Sequence, residues 1–84
     1  MATVLITPEA RQQFDALPLT IRVRVQRILE RLADWPDVSG ARPLRGLLAG
    51  QYRIRTGDYR VQFTPRGNVV TVTKVGHRDG FYNE

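Results

Sequence analysis

From Leu19 onward the apolar residues Ile21, Val25, Ile28, Leu29 and Leu32 recur at i, i+4, i+7, i+8 and i+11, the period of a helix with one buried face. Trp35-Pro36 closes that stretch, because proline disfavours helical geometry in the residue before it and has no N–H to donate. Upstream, Thr7 is placed to cap a shorter helix that begins at Pro8, has Glu9 in its first turn and runs to about Ala16 before Pro18 interrupts it. Ahead of it, Thr3 to Ile6 is short, apolar and partly β-branched, the signature of a strand.

The pattern changes after Gly50. Residues 37–50 are rich in Gly, Pro and small side chains and read as a loop, with Leu44, Leu47 and Leu48 expected to tuck beneath it. From Tyr52 the period becomes two. Arg53 and Arg55 share one face of a strand and Tyr52 and Ile54 the other; in the next strand Arg60 opposes Tyr59, Val61 and Phe63. Gly57-Asp58 predicts a tight hairpin turn, and Pro65-Arg66-Gly67-Asn68 a longer connection. The last strand, Val69 to Val75, carries apolar or methyl-bearing residues on both faces, as a central strand does. The predicted architecture is α+β: a single small domain of order β-α-α-β-β-β, with a helix hairpin on one face of a mostly antiparallel four-stranded sheet.

Pairing the strands through their apolar faces brings Arg53, Arg55 and Arg60 together on the opposite face. Charge partition sharpens this. Residues 1–41 hold five arginines against five acids, whereas residues 42–84 hold seven arginines and Lys74 against three acids, so the second half carries the whole net charge of +5. Polyanions or an acidic protein are the partners such a surface suits. Twelve of the thirteen basic residues are arginine, whose planar fork favours bidentate phosphate contacts. The plain alternative for the three strand arginines is a solvated sheet face; convergence without a compensating acidic strand shifts the balance toward an anion site. Arg22, Arg24, Arg27 and Arg31 read as a solvated helix face.

Composition narrows the chemistry. The chain has no cysteine and one histidine, so neither a disulfide, a thiolate nucleophile nor metal-ligand spacing is available, and no cofactor is implied. Ser39, the only serine, lies far from His77 in sequence, and no glycine-rich phosphate loop opens a helix. The longest apolar run near the start is Val4-Leu5-Ile6, so the chain is expected to be soluble, unexported and cytoplasmic, with no membrane partner. What remains is the arginine face and the segment from Gly76 to Tyr82. Arg78 follows the last strand and can reach the same face. Tyr82 offers a ring for base stacking or a phenol for proton exchange, and His77 is a candidate for acid-base work, although a lone histidine is more often structural.

Three segments together closely resemble the RelE/ParE superfamily of type II toxins, and are most similar to its RelE branch. These are Leu44-Arg45-Gly46, the run Gly50-Gln51-Tyr52-Arg53-Ile54-Arg55-Thr56-Gly57-Asp58-Tyr59-Arg60-Val61, and Val75-Gly76-His77-Arg78 followed by Phe81-Tyr82. The resemblance spans the chain's length and element order. It implies a ribosome-dependent, metal-independent endoribonuclease that cuts mRNA in the decoding site: the ribose 2′-OH attacks its own 3′-phosphate, leaving a 2′,3′-cyclic phosphate and a 5′-OH. Under it, Arg53, Arg55, Arg60, Arg78 and Tyr82 form the catalytic set, with His77 a second acid/base candidate. Arg45 and Lys74 are further RNA- or phosphate-binding candidates. Implied partners are an acidic antitoxin, the 70S ribosome with its mRNA and 16S rRNA, and operator DNA through the antitoxin complex. Arginines stand at 53 and 55 where relatives carry lysines, keeping charge but not ready proton exchange. A ParE-like gyrase poison, or an inactive antitoxin-binding co-repressor module, is the competing expectation on the same fold.

Overall fold

The computed structural model describes residues 1–81. Strand β1 (Thr3–Ile6) leads into helices α1 (Pro8–Asp15) and α2 (Leu19–Arg31), and strands β2 (Arg42–Pro43), β3 (Tyr52–Thr56), β4 (Tyr59–Arg66) and β5 (Val69–His77) follow. They form one sheet of order β1-β5-β4-β3-β2, with β1 parallel to β5 and the other neighbours antiparallel. The sheet therefore has five strands rather than four. The extra one is a two-residue edge inside the expected loop, too short to leave a periodic signal.

Local sequence explains the helices. Thr7 accepts a hydrogen bond from the Ala10 amide through Oγ1 (3.1 Å), and Pro8 occupies the first helical position, where its missing N–H costs nothing. Helix α2 stops at Arg31, and a 3₁₀ turn over Leu32–Asp34 carries the chain to Trp35, so the helical stripe extends one tightened turn beyond the α-helix proper. Val25, Ile28 and Leu32 are buried, and Ile21 and Leu29 pack beside them, as the spacing predicts. No helix of the described residues is long and apolar enough to cross a membrane.

Both helices cover one sheet face. Ile54, Val61, Phe63, Val70, Val72 and Val75 are buried beneath them. Helix α1 is tied to β5 by Gln13, whose Oε1 accepts from the Val75 amide at 2.8 Å. A bulge sets which side chains of β5 face the core. Gln62 pairs with Lys74 and Phe63 with Val72, leaving Thr73 unopposed, so the alternation resets between Val72 and Val75. Val70, Val72 and Val75 thereby point the same way although their spacing is uneven, and Lys74 and Gly76 turn to the opposite face. Strand β4 extends through Pro65 and Arg66, so Gly67-Asn68 alone makes the turn to β5, which itself runs on to His77.

The chain after β5 folds back. A 3₁₀ turn, Arg78–Gly80, leads to Phe81, which is buried outside the helix-side cluster and lies against Gly76, where an added Cβ would sit 3.6 Å from its Cδ1. Lys74 Nζ donates to the Phe81 carbonyl and lies 4.8 Å from its ring centroid. In the loop expected to bury three leucines, Leu44 and Leu48 are half-buried, but Leu47 is fully exposed at the tip of a 3₁₀ turn, Gly46–Leu48.

The aromatic corner supports the start of β3. Phe63 is stacked with Tyr52 (centroids 5.9 Å apart) and meets Trp35 edge-on at 5.2 Å, while Trp35 meets Tyr52 edge-on at 4.8 Å. Phe63→Ala is expected to cost about 3–5 kcal/mol by leaving a cavity among these rings. Chemical denaturation measures it; a loss below about 1 kcal/mol would show that the corner collapses around the deletion.

Candidate active site

The register that buries the valines also builds the opposite face. Arg55 pairs with Arg60, and Arg60 with Gly76, giving one row across three strands. The adjacent row runs Arg42, Arg53, Gln62 and Lys74 across four. Neighbouring strands lie about 4.8 Å apart, so the side chains of each row are within reach of one ligand. No carboxylate stands at any of these positions. Directly opposed like charges destabilise a sheet, and the Arg55–Arg60 pair is such a case.

Two of these guanidiniums are partly buried with donors unused. Nε and Nη1 of Arg60 and Nη1 of Arg53 are buried without a hydrogen-bond partner among the described residues. Five N–H donors on a permanently charged group normally find acceptors when shielded from water, and leaving them unmade costs free energy. Gln62 beside them is 7% exposed, and its Nε2 donates to Gln51 Oε1, so it is already committed. An oxyanion that reached these donors would satisfy them.

Other candidates are placed variously. Lys74 shares the row of Arg53 but is engaged by Phe81, which makes it an anchor for the C-terminal turn. Arg78 sits at the hairpin end of the sheet, close to the Arg55–Arg60 row. Its amide donates to the Asp58 carbonyl (2.7 Å), and its Nε lies 3.5 Å from Asp79 Oδ1 and 3.8 Å from Asp58 Oδ1. All three side chains are more than half exposed, so these pairs hold Arg78 weakly and a phosphate can displace them.

His77 is not brought to the arginine face. It pairs with Tyr59 on the helix side, where the two rings meet edge-on at 5.1 Å, and its Nδ1 accepts from the Asp79 amide at 3.2 Å. Strand alternation one residue after Gly76 dictates this. Arg45 is also apart: it precedes the 3₁₀ turn before β3, at the end of that strand away from the hairpin. Tyr82 lies outside the described residues. Arg42, by contrast, was not foreseen. It joins the face through its pairing with Arg53, and no periodic pattern around Arg42-Pro43 signals a strand. No group of three or more His, Asp or Glu side chains among the described residues could hold a metal ion.

Comparison with known proteins places this chain in a family. The family model for the ParE toxin of type II toxin–antitoxin systems matches residues 4–80. A chain of the RelBE2 toxin–antitoxin complex from Mycobacterium tuberculosis is 31% identical, with a TM-score of 0.81 over 92% of this chain and 98% of that one. The isolated Escherichia coli RelE toxin shares the fold at 22% identity, with a TM-score of 0.77 over 92% and 84% of the two chains. A chain of the RelB–RelE complex from Methanococcus jannaschii does so at 23% identity and the same TM-score over 94% and 95%. No curated protein sequence matches the chain. With the family model spanning nearly the whole chain and the RelBE2 chain at that identity and coverage, this protein belongs to the RelE/ParE family of type II toxins.

Proposed function

We propose that the protein is a ribosome-dependent endoribonuclease that cleaves mRNA on the arginine face of its sheet. The observation that carries this reading is the guanidinium of Arg60, its Nε and Nη1 buried without a partner, with Arg55 directly across from it and Arg53 two residues before Arg55. In the reaction the 2′-oxygen forms a bond to the adjacent phosphorus and loses its proton. The P–O5′ bond breaks, and the leaving oxygen takes a proton to become a 5′-OH, leaving a 2′,3′-cyclic phosphate.

Each group has a physical part. The phosphorane passed on the way carries more negative charge than the starting diester, and guanidiniums already fixed around it stabilise it without reorganising. Arg60 and Arg53 are held by the sheet with donors unspent, and Arg55 adds charge from the opposite strand. Arg78, released from Asp58 and Asp79, stabilises the departing 5′-oxygen. Proton transfer from the 2′-OH falls to Tyr82, which follows Phe81 in the sequence, since His77 lies on the other face. The ribosome supplies what a small open sheet does not, a strand of mRNA held with its 2′-oxygen in line.

An acidic antitoxin completes the proposed system. Complexes of this kind are known for RelBE2 of Mycobacterium tuberculosis and RelB–RelE of Methanococcus jannaschii. A groove of about 510 Å³ lined by Phe14, Leu19 and Val23 is open on the helix side, with Leu19 68% exposed. Arg22 lines it too, and its Nε is buried without a partner. An amphipathic acidic segment matches both features.

The match to the ParE toxin model favours one second reading, a protein that traps DNA gyrase. Arg60→Ala and Arg78→Ala are each expected to lower the rate of mRNA cleavage on translating ribosomes by about 100-fold to 1000-fold. Primer extension on cellular mRNA reads this; full cleavage by both variants removes the assigned site. Intact mRNA together with accumulated gyrase–DNA cleavage complexes decides for the second reading. Stability should move the other way from activity. Arg60→Met removes a charge that has no partner, so the variant should match or exceed the parent, whereas an arginine with a structural role would cost about 1–3 kcal/mol when replaced.

A further inference from the structure

Three of the helix arginines are not simply solvated. Arg24, Arg27 and Arg31 of α2 line a groove of about 340 Å³ whose other walls are Ile28, Arg55 and Thr56. Four of its six lining residues carry a fixed positive charge, and none is acidic. Among the described residues no ion pair engages Arg24, Arg27 or Arg31. Arg31 is held in place by the loop that follows, its Nη2 donating to the Ser39 carbonyl at 2.6 Å and Oγ at 3.2 Å. Arg24 reaches over the β3–β4 turn, its Nη1 3.5 Å from where a Cβ on Gly57 would lie.

Two features connect this groove to the sheet face. Arg55 belongs to both, facing Arg60 across the strands and walling the groove from the sheet edge. Strand β2 pairs only with Arg53 and Tyr52, so the rest of β3, residues 54–56, is an open edge around which a strand of nucleotides can turn. Along α2 the three arginines lie roughly 4.5 and 6 Å apart, a ladder suited to successive phosphates. An acidic protein segment would want apolar surface as well. Ile28 is the only large apolar residue here, while the exposed apolar groove lies at Phe14, Leu19 and Val23.

We propose that Arg24, Arg27 and Arg31, with Arg55, form a second phosphate track that holds the RNA strand leading away from the scissile bond. The proposal rests on the ribonuclease reading only in taking the sheet face as the site of that bond. Its ligand is the single-stranded sugar–phosphate backbone, bound without base preference.

Binding of 2′-O-methyl RNA, which cannot be cut, tests it apart from catalysis. Fluorescence anisotropy with a trinucleotide and a dodecanucleotide across a salt series is the measurement. The dodecanucleotide should bind wild type more tightly and with a steeper salt dependence. Arg24→Ala/Arg27→Ala should flatten the log–log salt slope for the dodecanucleotide by about 1.4, at about 0.7 per phosphate lost, and leave the trinucleotide unchanged. Alanine at exposed helix positions raises helix propensity, and Arg24→Lys/Arg27→Lys, which keeps the charge, should retain most of the slope. If wild type binds both lengths equally, the track is overturned and the sheet-face site stands; if it binds neither, both fall. An alanine pair that binds RNA as wild type does but loses affinity for a glutamate-rich peptide assigns the groove to an acidic protein instead.

Discussion

The single unopposed residue in β5 governs which chemistry this sheet can present. Without the bulge at Thr73, strict alternation would put Val70, Val72, Lys74 and Gly76 on one face and Val75 on the other. An ammonium would then enter the core beneath α1, and Val75 would leave it. With the bulge, Val72 and Val75 both enter the core, Lys74 and Gly76 turn outward, and Gly76 sits opposite Arg60, where Phe81 can pack against it. The Gln13 side chain accepts from the Val75 amide on the far side of this irregularity, so α1 helps hold the register that sets Gly76 opposite Arg60.

Given that register, the arginine face is an electrostatic conflict that the fold tolerates. Arg55 and Arg60 oppose each other, Arg53 stands beside Arg42, and buried donors on Arg53 and Arg60 go unmet. Hydrophobic burial on the other face supplies the stabilisation that makes this tolerable: Phe63, Val61, Val70 and Val72 are entirely shielded from water. An anion bound there would meet donors already in place. The same preorganisation that would make it catalytic makes the unliganded protein less stable than its core alone would allow. An RNA that brings phosphates would relieve that strain.

Much of this was legible in the residues. The helical stripe from Ile21 to Leu32, the cap at Thr7 and the alternation around Arg53, Arg55 and Arg60 each follow from local periodicity, which the sequence displays directly. The departures have a common cause in contacts that local patterns do not encode. Arg42-Pro43 becomes a strand only because Arg53 and Tyr52 lie alongside it. The bulge at Thr73 exists through pairing with β4, and beyond it Gly76 lies with the arginines while His77 lies on the helix side. Arg24, Arg27 and Arg31 look like solvent-facing helix residues until β3 is set beside them. Leu47 is apolar yet wholly exposed, and nothing in the described structure accounts for it.

The central claim is that the unmet donors of Arg53 and Arg60 define a phosphodiester site on the sheet. Side-chain NMR of arginine Nε–Hε groups during titration with a 2′-O-methyl dinucleotide reads each guanidinium separately, the unmet Nε of Arg60 among them. The account predicts that Arg60, with Arg53 and Arg55, shifts in a saturable way while Arg11, paired with Asp15 on α1, stays still. Shifts distributed evenly over all the arginines, or an Arg60 signal that does not move, would contradict it.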